Sequence, residues 1–239
     1  MEAMEEARVV PEGPVFEERP TELILREALV LGAAPLMLGA GFGALGQVLG
    51  VAALHYAGYA CLALTVFVAF FFRNPQRFIT GDERTVVAPA DGRVLEADEV
   101  ELEDGSKAVR VAIFLSLFNV HVNRAPVPGR VVAVEPSGSK FLAAFKGEAS
   151  DRNVRCDMTL ETDRGETVIV SQITGLIARR IACYPQVGDW LERGVRYGLI
   201  RFGSRTELVL PASAALRVKR GEPVRGGKSV IAQLPRDEV

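Results

Sequence analysis

The sequence predicts a mainly β (α+β) domain that follows an N-terminal hydrophobic helical hairpin. Three observations support this fold class. Residues 28–72 contain no Asp, Glu, Lys or Arg, a length that accommodates two membrane-spanning helices of about 20 residues each. Beyond residue 73, short β-rich runs alternate with Gly, Pro and Asp turns. The chain has 239 residues, of which 49% are hydrophobic, enough for one core and a membrane segment.

Three segments are therefore expected along the chain. Residues 1–22 are acidic and contain Pro11 and Pro14, which predicts a mobile tail. Residues 23–72 form the membrane-associated hairpin. Residues 73–239 form the β-rich domain, which contains no internal repeat and no low-complexity tract.

The hairpin is predicted as one helix over Leu25–Leu45 and a second over Val51–Phe72. Arg26 precedes the apolar run and Arg73 and Arg77 follow it, which places both ends on the cytoplasmic face by the positive-inside rule. The expected location is thus the cell membrane, with the β domain on the cytoplasmic side. Two alternatives stay open: a helical pair buried in a soluble protein, and a hairpin that dips into one leaflet without crossing.

The β domain begins after Pro75, which restricts Asn74 to extended geometry and ends the second helix. Single helical turns are predicted at residues 116–119 and 140–144. The runs predicted as strands of one compact domain are 86–88, 92–95, 108–115, 120–122, 129–134, 158–160, 166–172 and 177–183.

Composition excludes several classes of function. The net charge is −2, so no overall basic field indicates a nucleic-acid partner. Cys61, Cys156 and Cys183 have no motif spacing, which favours reduced thiols over a disulfide framework or a metal site. His55 lies within the hairpin, so His121 is the histidine available to a polar site.

Four short patterns contain the residues that could carry chemistry. They are Ala88-Pro89-Ala90-Asp91-Gly92, the segment His121-Val122-Asn123-Arg124, the run 172–181, and Arg201-Phe202-Gly203-Ser204. Each pattern by itself is typical of a turn or a strand.

Together with Phe71-Phe72-Arg73-Asn74-Pro75, these patterns resemble the phosphatidylserine decarboxylase family, in its short bacterial and archaeal type. The resemblance covers about residues 70–211. It implies a pyruvoyl-dependent, self-processing enzyme cleaved between Gly203 and Ser204 into a β chain of residues 1–203 and an α chain of residues 204–239. Ser204 would become the pyruvoyl group, and Asp91 and His121 match the acid and the imidazole that drive processing.

The residue chemistry agrees with this resemblance. A serine hydroxyl needs a base to become a nucleophile, and a carboxylate can orient and stabilise the imidazole that acts as that base. We expect Ser204 Oγ to attack the Gly203 carbonyl, and elimination and hydrolysis of the resulting ester to leave a ketoamide and ammonia. The pyruvoyl carbonyl would then form a Schiff base with the substrate amine and accept electrons as CO2 leaves, with His121 as the proton donor. No metal is required.

The chain departs from the family pattern at two positions. Phe118 stands where longer bacterial members commonly have a further histidine. Val154 stands where the short type usually has a glutamate between Asn153 and Arg155.

The expected partners are a phospholipid substrate in the membrane and the two chains of the processed precursor, with a homo-oligomer left open. Arg124, Arg179 and Arg180 are candidates for contact with phosphate or with an anionic membrane, as are Arg73 and Arg77.

Two alternative functions stay open. One is a membrane-anchored β module of the lipoyl or biotinyl carrier kind without catalysis, although no lysine occurs between Gln172 and Leu216 to carry the group. The other is a decarboxylase of an ether-linked (archaetidyl) serine lipid, which presents the same head group. A serine hydrolase is not expected, because the Gly-x-Ser-x-Gly elbow is missing.

Overall fold

A computed structural model describes residues 20–79, 81–102, 104–145, 149–176, 180–201 and 203–235. Residues 1–19 of the tail predicted over residues 1–22 lie outside the described residues. The architecture is mainly β with two apolar helices at its N-terminal end, which confirms the predicted fold class.

The two helices form the predicted hairpin. Helix α1 spans Pro20–Leu49 and helix α2 spans Ala52–Phe71. Both are long and apolar enough to cross a membrane, and only 6% and 17% of their most apolar windows are buried. This exposure is compatible with membrane association and does not fit a helical pair buried in the core of this chain.

Helix α1 begins earlier than the hydropathy pattern predicts. Proline at the first position of a helix has a suitable φ and lacks the amide hydrogen that would go unpaired there. Glu22 in the first turn also interacts favourably with the helix dipole. The polar start therefore extends the helix beyond its apolar section.

In its described residues, the β domain contains fourteen strands and one short helix, α3, at Ala149–Arg152. The strands are β1 Thr85–Val87, β2 Gly92–Glu101, β3 Lys107–Leu115, β4 Val122–Arg124, β5 Gly129–Ser137, β6 Arg155–Glu161, β7 Thr167–Ile173, β8 Ile181–Cys183, β9 Trp190–Leu191, β10 Arg196–Ile200, β11 Ser204–Pro211, β12 Ala215–Leu216, β13 Pro223–Val224 and β14 Val230–Gln233.

These strands form one large sheet and two small ones. The large sheet has the order β13-β2-β3-β11-β7-β6-β5-β9, and the small sheets have the orders β1-β14-β12 and β4-β10-β8. The alternating faces of β3, β7 and β11 supply much of the buried core, including Val111, Val170 and Leu208.

Both predicted helical turns in the β domain are wrong. Residues 116–119 form a turn in which the Asn119 amide donates to the Ser116 carbonyl and the Asn119 side chain accepts from the Ser116 amide and hydroxyl. In the segment 140–144, the Asn153 side chain accepts a hydrogen bond from the Leu142 amide and donates one to the Leu142 carbonyl. The first segment is thus a single turn that does not continue as a helix, and the second is held by side-chain hydrogen bonds to its backbone.

The register of the large sheet positions the ends of three strands together. Arg93 of β2 and Arg205 of β11 both pair with Phe114, from opposite sides of β3. Asp91 precedes β2, and Ser204 is the first residue of β11, so both lie at the end of the sheet where β3 finishes. Neighbouring strands are about 4.8 Å apart, so the β2 and β11 backbones are roughly 10 Å apart there.

The hairpin packs against this same end of the domain. Ile24 of α1 and Val68, Phe71 and Phe72 at the end of α2 form one buried cluster with Val120, Val122 and Leu199. The end of the hairpin is thereby attached to the segments that lead into β4 and out of β10.

Candidate active site

The peptide between Gly203 and Ser204 lies in a confined corner. Gly203 has a φ of +67°, a left-handed conformation that residues with a side chain rarely adopt. A Cβ atom on Gly175 would lie 2.1 Å from the Gly203 carbonyl oxygen, so only glycine permits this close approach. Phe202 and the segment 177–179 lie outside the described residues.

Ser204 is fully buried at this corner. Its exposed fraction is 0%, and its backbone pairs with Leu115 of β3. Its hydroxyl has no hydrogen-bond partner in the described part of the chain. A buried polar atom without a partner costs about 1–3 kcal/mol, so this hydroxyl is a position where chemistry is expected.

His121 lies in the connection between β3 and β4. The ring is 1% exposed and stacks on Phe71, with ring centroids 4.1 Å apart. Its Nδ1 lies 3.0 Å from the Asn119 carbonyl oxygen, which can only accept a hydrogen bond. Nδ1 is therefore assigned as the donor, and Nε2 is left as an unprotonated acceptor without a partner among the described residues.

The environment of His121 keeps its imidazole neutral. Burial is the main cause that lowers its pKa to about 4, and the positive charge of Arg73 acts in the same direction. The Asn119 carbonyl and the negative charge of Asp91 oppose this shift. At neutral pH the ring is thus an uncharged base.

Asp91 is held by groups other than His121. Arg77 contacts both of its carboxylate oxygens, with 2.8 Å between Nη2 and Oδ2. The Gly226 amide donates to Oδ1 at 2.8 Å. Since the described partner of His121 is the Asn119 carbonyl, Asp91 acts on the imidazole through its charge rather than through a hydrogen bond.

The fold therefore brings Asp91, His121 and Ser204 to one end of the large sheet without joining them by hydrogen bonds. The His121 carbonyl accepts from the Ile200 amide at 3.3 Å, which anchors the imidazole segment to the strand that leads to Ser204. The order along the chain does not reveal this proximity, because it depends on the strand register.

An apolar cavity of about 390 Å³ opens beside Gly203. Three of its lining side chains are strongly exposed for apolar residues: Phe118 at 69%, Phe145 at 63% and Leu176 at 66%. The other lining residues are Phe114, Ser116, Leu117, Ala143 and Ala144. The one sign of this cavity in the sequence is Phe118, which stands where longer members of the family resembled above commonly have a histidine.

Asn153 is a further residue of the site that the sequence analysis did not identify. Its side chain is fully buried and donates to the carbonyls of Leu142 and Thr174. It thereby connects one wall of the apolar cavity to the segment that contacts the Gly203 carbonyl. The neighbouring Val154 contributes through its backbone, which accepts from the Thr174 hydroxyl at 2.9 Å.

A buried ion-pair network supports β11 next to Ser204. Arg205 is 1% exposed and pairs with Glu207, which is 3% exposed and accepts from the Ser150 hydroxyl. Glu96 contacts the Arg205 guanidinium from β2 at 3.2 Å. These groups join the start of β11 to β2 and α3, and nothing in the local sequence predicts their burial.

The three candidate phosphate-binding arginines have different surroundings. Arg124 is 4% exposed and donates to the carbonyls of Gly194 and Pro75, both at 2.9 Å, so it connects the end of the hairpin to the domain. Arg180 is exposed and lines a separate cavity near α1. Arg179 lies outside the described residues.

No group of three or more potential metal-ligating side chains occurs in the part of the chain that the structure describes. The three cysteines carry free thiols.

Comparison with known proteins matches the chain to one family. The sequence profile of a family described as phosphatidylserine decarboxylase matches residues 64–232. A phosphatidylserine decarboxylase proenzyme of Geotalea uraniireducens (strain Rf4) is 49% identical over 177 residues, which cover 73% of this chain and 82% of the relative. The protein of the same name from Symbiobacterium thermophilum is 46% identical over 208 residues, which cover 84% and 97%.

Proposed function

The chain belongs to the phosphatidylserine decarboxylase family and is a carboxy-lyase, and we propose that it acts through a pyruvoyl group made from its own Ser204. The substrate is phosphatidylserine, and the products are phosphatidylethanolamine and CO2. The relatives are named proenzymes, which agrees with a chain that must process itself before it acts.

The observation that carries the proposal is the buried Ser204 hydroxyl. It has no hydrogen-bond partner in the described chain and follows a glycine in a left-handed conformation. A hydroxyl left unpaired inside a protein fits a group that is to be converted into something else. The residues around Ser204 thus suit a pyruvoyl group at the start of β11.

In the proposed processing, His121 accepts the proton of the Ser204 hydroxyl through Nε2, the ring nitrogen that has no partner in the described chain. The hydroxyl oxygen attacks the Gly203 carbonyl carbon, and the bond from that carbon to the Ser204 nitrogen breaks to give an ester. Loss of the Cα proton of residue 204 expels the Gly203 carboxylate, and water then replaces the nitrogen, which leaves as ammonia. The neutral imidazole and the left-handed conformation of Gly203 suit the first step.

For decarboxylation, the pyruvoyl group supplies a carbonyl that takes up the substrate amine and accepts the electron pair left when CO2 departs. His121 would hold and return a proton at Nε2. The cavity lined by Phe118, Phe145 and Leu176 lies beside Gly203 and offers an apolar surface to the glycerol and first acyl carbons of the lipid.

We further propose that the β domain lies at the cytoplasmic membrane surface. Arg26, Arg73 and Arg77 flank the hairpin at its two ends, and the hairpin packs on the site through Phe71 and Phe72. The hairpin would hold the site at the plane of the lipid head groups, where the substrate amine is found.

Mass analysis of the denatured protein tests the proposal. The wild type should give two fragments, residues 1–203 and 204–239, and the smaller fragment should lack a free amine. Ser204→Ala should remain one full-length chain. Ser213→Ala, at an exposed serine farther along the same fragment, should split like the wild type. Cleavage of Ser204→Ala at residue 203 would exclude this mechanism.

A further inference from the structure

A second cavity lies on another side of β10 from the site. It has a volume of about 520 Å³. Asp91, His121, Gly203 and Ser204 are not among its lining residues. The cavity is enclosed by Arg26, Glu27 and Val30 of α1 and by Arg180, Ile181, Ala182, Cys183, Tyr184, Leu199 and Arg201.

The charges in this cavity leave an excess of positive charge. Arg201 is paired with Glu27, so these two groups neutralise each other. Arg26 and Arg180 are exposed, and neither has an ion pair or side-chain hydrogen bond within the described ranges of the chain. Two guanidinium groups therefore face the cavity without a protein partner for their charge.

The position of the cavity indicates where its ligand comes from. Arg26 lies on α1 two residues before the uncharged run begins at Ala28, at the level where the hairpin would enter the membrane. Leu199 in its wall also belongs to the cluster that joins the hairpin to the domain. The cavity thus has basic groups beside an apolar wall that continues along α1, as a lipid head group and its first acyl carbons would require.

We propose that this cavity binds the phosphodiester of an anionic phospholipid that is not the substrate, with Arg26 and Arg180 as its phosphate contacts. A planar guanidinium donates two parallel hydrogen bonds to a phosphate and is more weakly hydrated than an ammonium group. The Tyr184 hydroxyl adds a neutral donor, because burial raises its pKa. The lipid would fix α1 to β8 and β10 and hold the domain against the membrane. This inference does not depend on the pyruvoyl chemistry.

Native mass spectrometry of the full chain in a non-ionic detergent tests the proposal. With phosphatidylglycerol and phosphatidylcholine added in equal amounts, the wild type should retain one phosphatidylglycerol. The double variant Arg26→Gln, Arg180→Gln should retain at least about tenfold less, because basic groups at an anionic lipid surface each contribute appreciably to binding. The control is the double variant Arg217→Gln, Arg220→Gln, which removes the same charge at two exposed arginines outside the cavity. It should retain phosphatidylglycerol like the wild type.

Three results would overturn the inference. Equal retention of phosphatidylcholine, which has the same phosphodiester but no net charge, would show that the cavity does not select an anionic phospholipid. Equal losses in the two double variants would show a general effect of charge. Displacement of the lipid by millimolar inorganic phosphate would identify the free anion as the ligand.

Discussion

At the scale of single residues, His121 links the acid stability of the protein to the burial of its imidazole. Its pKa in the folded protein is about 4, below the value of about 6.5 in an unfolded chain. Between these values the unfolded chain binds the proton more tightly, so acid favours unfolding. The stability is complete above about pH 6.5 and is lost as the pH falls toward about 4.

We therefore expect His121→Gln to reduce acid sensitivity. The burial of the neutral ring is worth up to about 3 kcal/mol of pH-dependent stability. When the pH is lowered from about 7 to about 5, the melting temperature of Ser204→Ala should fall. The fall should be smaller in the double variant Ser204→Ala, His121→Gln. The Ser204→Ala background keeps the chain in one piece, and His55→Gln in that background is the matched control. Equal falls in all three proteins would mean that the imidazole is not buried as a neutral group.

Asp91 gives a second prediction at this scale, because Arg77 and the Gly226 amide hold its carboxylate. If its charge supports the imidazole, Asp91→Asn should slow the splitting of the chain by about a hundredfold or more. Arg77→Gln keeps the charge of Asp91 and should slow it much less. Pulse-chase electrophoresis measures both rates. Similar rates in the two variants would assign Asp91 a purely structural role with Arg77.

The candidate residues of the site could be selected from the sequence, whereas the contacts that each of them makes could not. Asp91, His121 and Ser204 stand in short local patterns that a single sequence shows. The contact between Arg77 and Asp91 and the burial of Arg205 depend on which strands are neighbours in the sheet. Local patterns carry little information on that order.

At the scale of elements, the hairpin depends on close contact between its helices. A Cβ atom on Gly58 would lie 3.1 Å from the Gly39 carbonyl oxygen and 3.3 Å from the Gly43 nitrogen. Such contacts are typical of membrane helices that pack through small residues. A Cβ atom on Gly41 of the same hairpin would meet nothing within 4 Å.

Gly58→Ala should therefore lower the melting temperature of the detergent-solubilised protein, since the helices must separate by a few tenths of an ångström at a cost of about 1 kcal/mol or more. Gly41→Ala should leave it unchanged or raise it, because alanine favours the helix. If both variants behave alike, helix packing at Gly58 does not contribute to stability in detergent.

The elements themselves were predictable to different degrees. The helices follow from an uninterrupted apolar run, which dominates any local preference. The segment 116–119 is also apolar in part, but it forms one turn, in which the Asn119 side chain accepts from the Ser116 amide and hydroxyl, and does not continue as a helix. Competition of this kind is decided by side-chain geometry and is difficult to infer from apolar periodicity.

At the scale of the whole molecule, the hairpin, the sheet end and the apolar cavity are connected through one segment. Arg73 at the end of α2 donates to the carbonyl of Phe118, and Phe118 lines the cavity beside Gly203. The ring of Phe71 covers His121 from the same helix. A substrate that stays in the membrane would thus reach Ser204 past Phe118 and Phe145, along a surface that continues from the hairpin.

This arrangement predicts that the exposed side chains of Phe118 and Phe145 contribute to binding of the acyl chains and not of the head group. Phe118→Ser, Phe145→Ser should raise the KM for a diacyl phosphatidylserine by about tenfold, since each apolar carbon that loses its contact costs up to about 0.8 kcal/mol. Turnover of the water-soluble head-group analogue glycerophosphoserine, measured as CO2 release, should change much less. Val187→Ser removes an apolar side chain that is 66% exposed and does not line the cavity, so it should leave both values unchanged. An equal loss with both substrates would instead indicate that the two aromatic residues support the fold around Ser204, and that the lipid chains approach from another side.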